Sequence, residues 1–121
     1  MSEKTVDYLK KELRRFAEER DWEQFHSPKN LAMALVGEAG ELCAEFQWQS
    51  EDQSRDLSEK KLEAVRQEVG DVLIYLVRLA DQLDIDLLEC AFDKLVINTG
   101  KYPTEAVRGS AMKYTEYGEE D

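Results

Sequence analysis

Two short acidic pairs offer the clearest chemistry in this chain. EAGE places Glu38 and Glu41 three residues apart, and EVGD does the same for Glu68 and Asp71. On a helix that spacing puts both carboxylates of a pair on one face. At about 100° per residue, Leu31, Leu35 and Leu42 form an apolar stripe that contains Glu38, with Glu41 on its edge. Around the second pair Val65, Val69, Val72, Leu76 and Leu83 cluster, flanked by Glu68, Tyr75 and Asp71. A solvated charge run would sit opposite such a stripe. If the two helices pack antiparallel, four carboxylates converge and need a counter-charge. Arg66, Arg78 or Lys94 could supply it, or a cation. All-oxygen ligands select a hard ion, Mg²⁺ with Mn²⁺ as substitute. A di-iron bundle would need Glu-x-x-His pairs, and the one histidine, His26, lies outside both pairs. Gly40 and Gly70, one in each pair, would let another group approach closely.

A magnesium ion of this kind usually meets substrate phosphates. Lys94, Asn98 and Lys101, spaced by four and three, put two cations and an amide on one helix face. Lys29 stands at a helix start, where free backbone N–H groups favour anions. Trp22, Phe25 and His26 lie in a connector and Trp48 closes the second helix. The tryptophans are either core plugs or platforms on which a base stacks. Tyr75, one turn beyond Asp71, is placed to pack on a sugar ring or to edge the core.

The elements that hold these residues follow from the punctuation. Two prolines and six glycines in 121 residues are few, as in a helical protein. Val6, Leu9, Leu13 and Phe16 form the stripe of a helix predicted from Thr5 to about Arg20. Ser27 and Pro28 mark a second start, for a helix reaching about Gln47. A polar linker covers Gln49 to Leu57. The third helix, capped by Asp56 with Glu59 as a capping box or by Ser58, continues to about Leu83. A fourth, capped by Asp84 or Asp86, runs to about Thr99 and stops at Gly100, with Pro103 beyond. Weak periodicity after that predicts a partly disordered acidic tail over about 110–121. No alternating run with turn signals suggests a strand. One domain, residues 1–121, is expected, an all-α four-helix bundle.

Sixteen basic and twenty-seven acidic side chains give a net charge of −11. That excludes binding to a nucleic-acid polymer, which needs a basic face, and docking on an anionic membrane. No apolar run approaches the ~20 residues of a span. MSEKTVDYLKKELRR has no signal-peptide core, so a cytoplasmic location is expected, with Cys43 and Cys90 as reduced, buried small hydrophobes.

FAEERDWEQFHSPKNLAMALVGEAGELCAEFQW, EVGDVLIYLVRLA and DKLVINTGKYP occur in this order. Together they resemble the MazG-like all-α nucleoside triphosphate pyrophosphohydrolases, most nearly the dCTP pyrophosphatase branch, over roughly Phe16 to Tyr117. The resemblance implies Mg²⁺-dependent hydrolysis of a nucleoside triphosphate, dCTP or a related dNTP, to monophosphate and pyrophosphate, as nucleotide-pool housecleaning. It implies metal ligands at Glu38, Glu41, Glu68 and Asp71, with Glu38 or Glu41 activating water. Trp22, Trp48 and Tyr75 match positions that hold base and sugar, and Lys94, Asn98 and Lys101 match positions near the phosphates. Lys101 stands where relatives carry Arg, and Leu13 where animal enzymes carry a base-contacting histidine.

The resemblance also implies an obligate homo-oligomer, a dimer or a dimer-of-dimers tetramer. Independently, Leu73, Ile74 and Val77 widen the apolar surface of the third helix, as on a helix buried on several sides. A non-catalytic acidic helical adaptor, or regulatory oligomerisation module, is the competing reading. It gives no reason for carboxylates on core-flanking faces.

Overall fold

Polar side chains begin each of the long helices in the computed structural model, which describes residues 3–110. Helix α1 (Val6–Glu19) starts at Thr5, whose hydroxyl oxygen accepts from the Tyr8 backbone N–H. A short 3₁₀ turn, Glu23–Phe25, leads to α2 (Pro28–Ala44), capped by Ser27 with proline in its first turn. Two candidates competed for the start of α4 (Glu59–Gln82), and Ser58 takes it, accepting from the Lys61 N–H. Asp86 likewise caps α5 (Leu87–Lys101). Asp84 instead adopts φ 54° as the chain leaves α4, a left-handed conformation that Asp tolerates better than most residues.

Three boundaries depart from the sequence reading. Helix α2 ends at Ala44 rather than Gln47, in turns through residue 48. Gly100 does not stop α5, which runs on to Lys101; Pro103 ends it by restricting the residue before it. The segments read as linker and tail each hold a single-turn helix. These are α3 (Glu51–Ser54), closed by a reciprocal Ser50–Gln53 capping box, and α6 (Thr104–Val107). Beyond Ser110 the expected acidic tail lies outside the described residues. No strand occurs among the described residues, and no helix there is long and apolar enough to cross a membrane.

The first of two compact units ends at Ile85 and the second begins at Asp86. In the first, α4 packs against both α2 and α1. Ala17, Leu31, Val77 and Ala80 are the buried apolar residues of this contact. That corrects the expected stripes. Phe16 is 45% exposed while Ala17 is buried, and on α4 Val69, Leu76 and Leu83 are exposed while Val77 is buried. A helix covered by two neighbours turns a broader and differently centred face inward than a single stripe allows. Cys43 and Cys90 are free but exposed, not buried. In the second unit Leu88, Phe92, Leu95, Val96 and Ile97 of α5 are all exposed.

One ion-pair network ties α1 to the end of α4. Arg14 donates to both carboxylate oxygens of Asp81, at 2.6 and 3.1 Å, and Arg78 donates to Asp81 Oδ2 at 3.4 Å. The hydrogen bond from Arg14 is the main reason the Asp81 carboxyl is held below its ordinary value, against a desolvation cost. A depressed carboxyl pKa stabilises the fold above the ordinary carboxylate value, and the benefit fades as pH falls through the depressed one. Asp81→Asn is therefore expected to lower the melting temperature by roughly 5 °C at neutral pH. In melts run at decreasing pH, the gap to wild type should close below the carboxylate range.

Candidate metal centre and adjoining cavity

Packing α4 against α2 brings the acidic pairs of the two helices together. Carboxylate oxygens of Glu38, Glu41 and Glu68 lie within 4.8 Å of one another. Asp71, one turn along α4, is outside that trio but close enough to act on the charges of Glu38 and Glu68. Two of the three alternative counter-charges are paired elsewhere. Arg66 pairs with Glu63 and Arg78 with Asp81, while the third, Lys94, lies on α5 in the second unit. Among the described residues, no ion pair engages Glu38, Glu41, Glu68 or Asp71.

The crowding shows in the acidities. Burial first, then hydrogen bonding and charge from Glu41, then the charges of Asp71 and Glu68, hold the Glu38 carboxyl above its ordinary value. Burial and then the charge of Glu41 raise Glu68 in the same way. Glu38 Oε2 and Glu68 Oε2 are buried without a hydrogen-bond partner. Orphaned anionic oxygens are costly unless something cationic meets them. An all-oxygen donor set with two such atoms fits a hard divalent cation.

Glu38 also lines a cavity of about 350 Å³, together with Leu13, Phe16, Trp22, Asp71 and Tyr75, among others. Trp22 stands edge-on to Phe16, ring centroids 5.7 Å apart, and to His26 at 6.3 Å. Phe16 itself lies under the Arg20 guanidinium, 3.6 Å from ring centre to carbon. The expected aromatic Trp22 and Tyr75 thus reach the cavity. Trp48, 88% exposed, is not among its lining residues. Lys29 is exposed on the first turn of α2. Lys94, Asn98 and Lys101 lie on α5, in the second unit. The close approach expected at Gly40 and Gly70 is absent: no heavy atom lies within 4 Å of a Cβ built at either.

Among the polar lining residues, sequence reasoning missed two, His26 and Arg78. Arg78 had a signal: a lone charge within the apolar run LIYLVRLA, one turn beyond Tyr75. It is 2% exposed and reaches His26 Nδ1 through Nη2 at 3.3 Å. Burial, then the Arg78 charge, hold His26 below the ordinary imidazole value. Arginine only donates, so Nδ1 accepts and the ring proton is assigned to Nε2.

The MazG-like family matches residues 34–117, the span that contains the four acidic residues. The chain belongs to the MazG-like family. Within it, the chain is 45% identical to dCTP pyrophosphatase 1 of Mus musculus over 116 residues, 94% of this chain and 68% of that protein. Identity to dCTP pyrophosphatase 1 of Homo sapiens is 44% over 116 residues, with the same coverage. A crystal structure of a pyrophosphatase from Archaeoglobus fulgidus superposes with a TM-score of 0.77 at 36% identity, covering 85% of this chain and 96% of that one. The MazG-like all-α fold is thereby shared with a solved structure.

Removing one charge from the cluster should have opposite effects with and without a cation. In excess EDTA at neutral pH, Glu38→Gln and Glu68→Gln are expected to melt higher than wild type, because repulsion is relieved. Both should lose most of the melting-point rise that a divalent cation gives the wild type. Equal rises in variant and wild type would place the ion elsewhere.

Proposed function

We propose that this nucleoside triphosphate pyrophosphohydrolase acts on dCTP or a related deoxynucleoside triphosphate, with Mg²⁺ as its cation. The observation that carries this reading is a carboxylate cluster with orphaned buried oxygens, opening through Glu38 onto an aromatic-lined cavity. Its likeness to the dCTP pyrophosphatases supports the choice of base. An acidic adaptor would leave both orphaned oxygens without a role.

Glu38, Glu41 and Glu68, with Asp71, are the proposed ligands; Mg²⁺ held there supplies charge neutralisation and polarisation of the triphosphate. Glu38 belongs to both cluster and cavity, so its carboxylate is placed to orient a water toward the α-phosphorus and accept its proton. Glu41 is the alternative base. Attack in line forms the new P–O bond of the monophosphate, and the bond to the bridging oxygen breaks as pyrophosphate leaves. Trp22 and Tyr75 hold base and sugar, with Trp48 as a further base contact. Lys29, Lys94, Asn98 and Lys101 are the proposed phosphate-contacting set, and the three lysines supply the local positive charge that a protein of −11 otherwise lacks. A cytoplasmic housecleaning role against surplus or modified deoxynucleotides follows from this substrate class.

The test is pyrophosphate release from a panel of triphosphates with Mg²⁺ and with EDTA. Pyrophosphate plus monophosphate is expected only with the cation, fastest for dCTP or a near relative. Glu38→Gln should lower turnover by at least about 100-fold with folding intact. Release of orthophosphate, or full activity in EDTA, would sink the reading.

A homo-oligomer, dimer or dimer of dimers, is the proposed assembly. Val69, Leu73, Leu76 and Leu83 of α4 and the apolar side chains of α5 are exposed in the single chain, more apolar surface than a monomer usually shows. Sedimentation at micromolar concentration is expected to give two or four times the 14.0 kDa of one chain. A single 14.0 kDa species would remove the assembly.

A further inference from the structure

The cavity has two chemically different ends. Glu38 and Asp71 mark one. Trp22, His26 and Arg78 mark the other, joined by the Trp22–His26 ring contact and by Arg78 N–H groups on His26 Nδ1. Seven residues of α4 separate Asp71 from Arg78, about 10 Å along the helix axis, with Tyr75 between them on the cavity wall. The part of a nucleotide that lies farther along is the base.

Arg78 carries more donors than its partners use. A guanidinium has five N–H groups. Three have acceptors, all at long range: Nε and Nη2 on His26 Nδ1 at 3.4 and 3.3 Å, and Nη1 on Asp81 Oδ2 at 3.4 Å. One N–H on each terminal nitrogen is left over, on a side chain that is 2% exposed and lines the cavity. Buried donors seek acceptors. Among the described residues, Asp81 is the one carboxylate hydrogen-bonded to Arg78. Asp81 is occupied on both oxygens by Arg14 from α1, and the lining acids Glu38 and Asp71 mark the far end. With His26 protonated on Nε2, this end of the cavity presents donors.

Resting on the nucleotide reading above, we infer that Arg78 is a specificity-determining residue that reads the base. Its spare N–H groups donate to two adjacent acceptors on the base edge, while Asp81 and His26 hold the guanidinium in place. Cytosine offers that pair as O2 and N3. Guanine offers it as O6 and N7, where a bidentate arginine is a familiar partner. Uracil and thymine set an N3–H between their carbonyls, which faces donor with donor. Cytosine is the expected base here, and guanine shares the chemistry.

The experiment separates base reading from catalysis. Isothermal titration of the wild type with dCMP, dGMP, dUMP and dTMP is expected to show tighter binding of dCMP, or of dGMP if guanine is the source of the acceptor pair, over dUMP and dTMP. Arg78→Met and Arg78→Lys should each lower that preference by about 10- to 100-fold. Arg78→Lys keeps the buried charge should Arg78→Met fail to fold. Equal weakening for all four bases would assign Arg78 to the scaffold and overturn the inference. So would a preference retained in both variants, or a wild type that binds the four alike. A wild type that hydrolyses no triphosphate with Mg²⁺ would overturn the pyrophosphohydrolase reading, while the binding ratios would still decide the role of Arg78.

Discussion

Repulsion among Glu38, Glu41 and Glu68 is the constraint around which the first unit is organised. Leu31 of α2 and Val77 of α4 are buried where α4 packs on α2 and α1, and the hydrophobic gain of that packing drives the helices together. The same contact forces the three carboxylates within 4.8 Å. Packing and electrostatics therefore oppose each other at one place. The raised pKa values of the Glu38 and Glu68 carboxyls are the visible trace of that opposition. A cation removes it, so the helix pair is both scaffold and ligand set. Strain of this kind is a common signature of functional sites.

About three turns beyond Asp71 along α4 the electrostatics reverse. Asp81 sits between Arg14 and Arg78 and its pKa is held below the ordinary carboxylate value, so the far half of the helix is locked to α1 by satisfied charge. One helix thus carries an unbalanced acidic end and a balanced, donor-rich end, with Tyr75 and Ile74 of the cavity wall between. A nucleotide has the matching asymmetry, a polyanion at one end and a hydrogen-bonding base at the other. His26 contributes through its tautomer: Arg78 claims Nδ1, which leaves Nε2–H as a donor.

Much of this was legible before any tertiary contact was known. Ser27–Pro28 and Ser58 announced helix starts, because an N-cap acts through atoms only three residues away. The acidic pairs were legible because helical periodicity alone puts Glu38 within an apolar stripe. Phe16 and Val77 were misplaced because a wheel shows which residues share a face but not how many neighbours cover it. Arg78 was underrated for a related reason. A lone charge in an apolar run is compatible with surface, ion pair or site, and its meaning lies in Asp81, Arg14 and His26. Two of those partners are more than fifty residues away in sequence.

The amino-acid sequence by itself determined the all-α fold, the helix starts and the four candidate carboxylates, because capping, periodicity and residue chemistry are local properties. Tertiary structure alone decided which oxygens are orphaned, that Arg66 and Arg78 are committed elsewhere, and that Trp22 rather than Trp48 lines the cavity. Those outcomes depend on which helices meet and how deeply each side chain is desolvated. Desolvation is a property of the packed interface, and no single segment carries it.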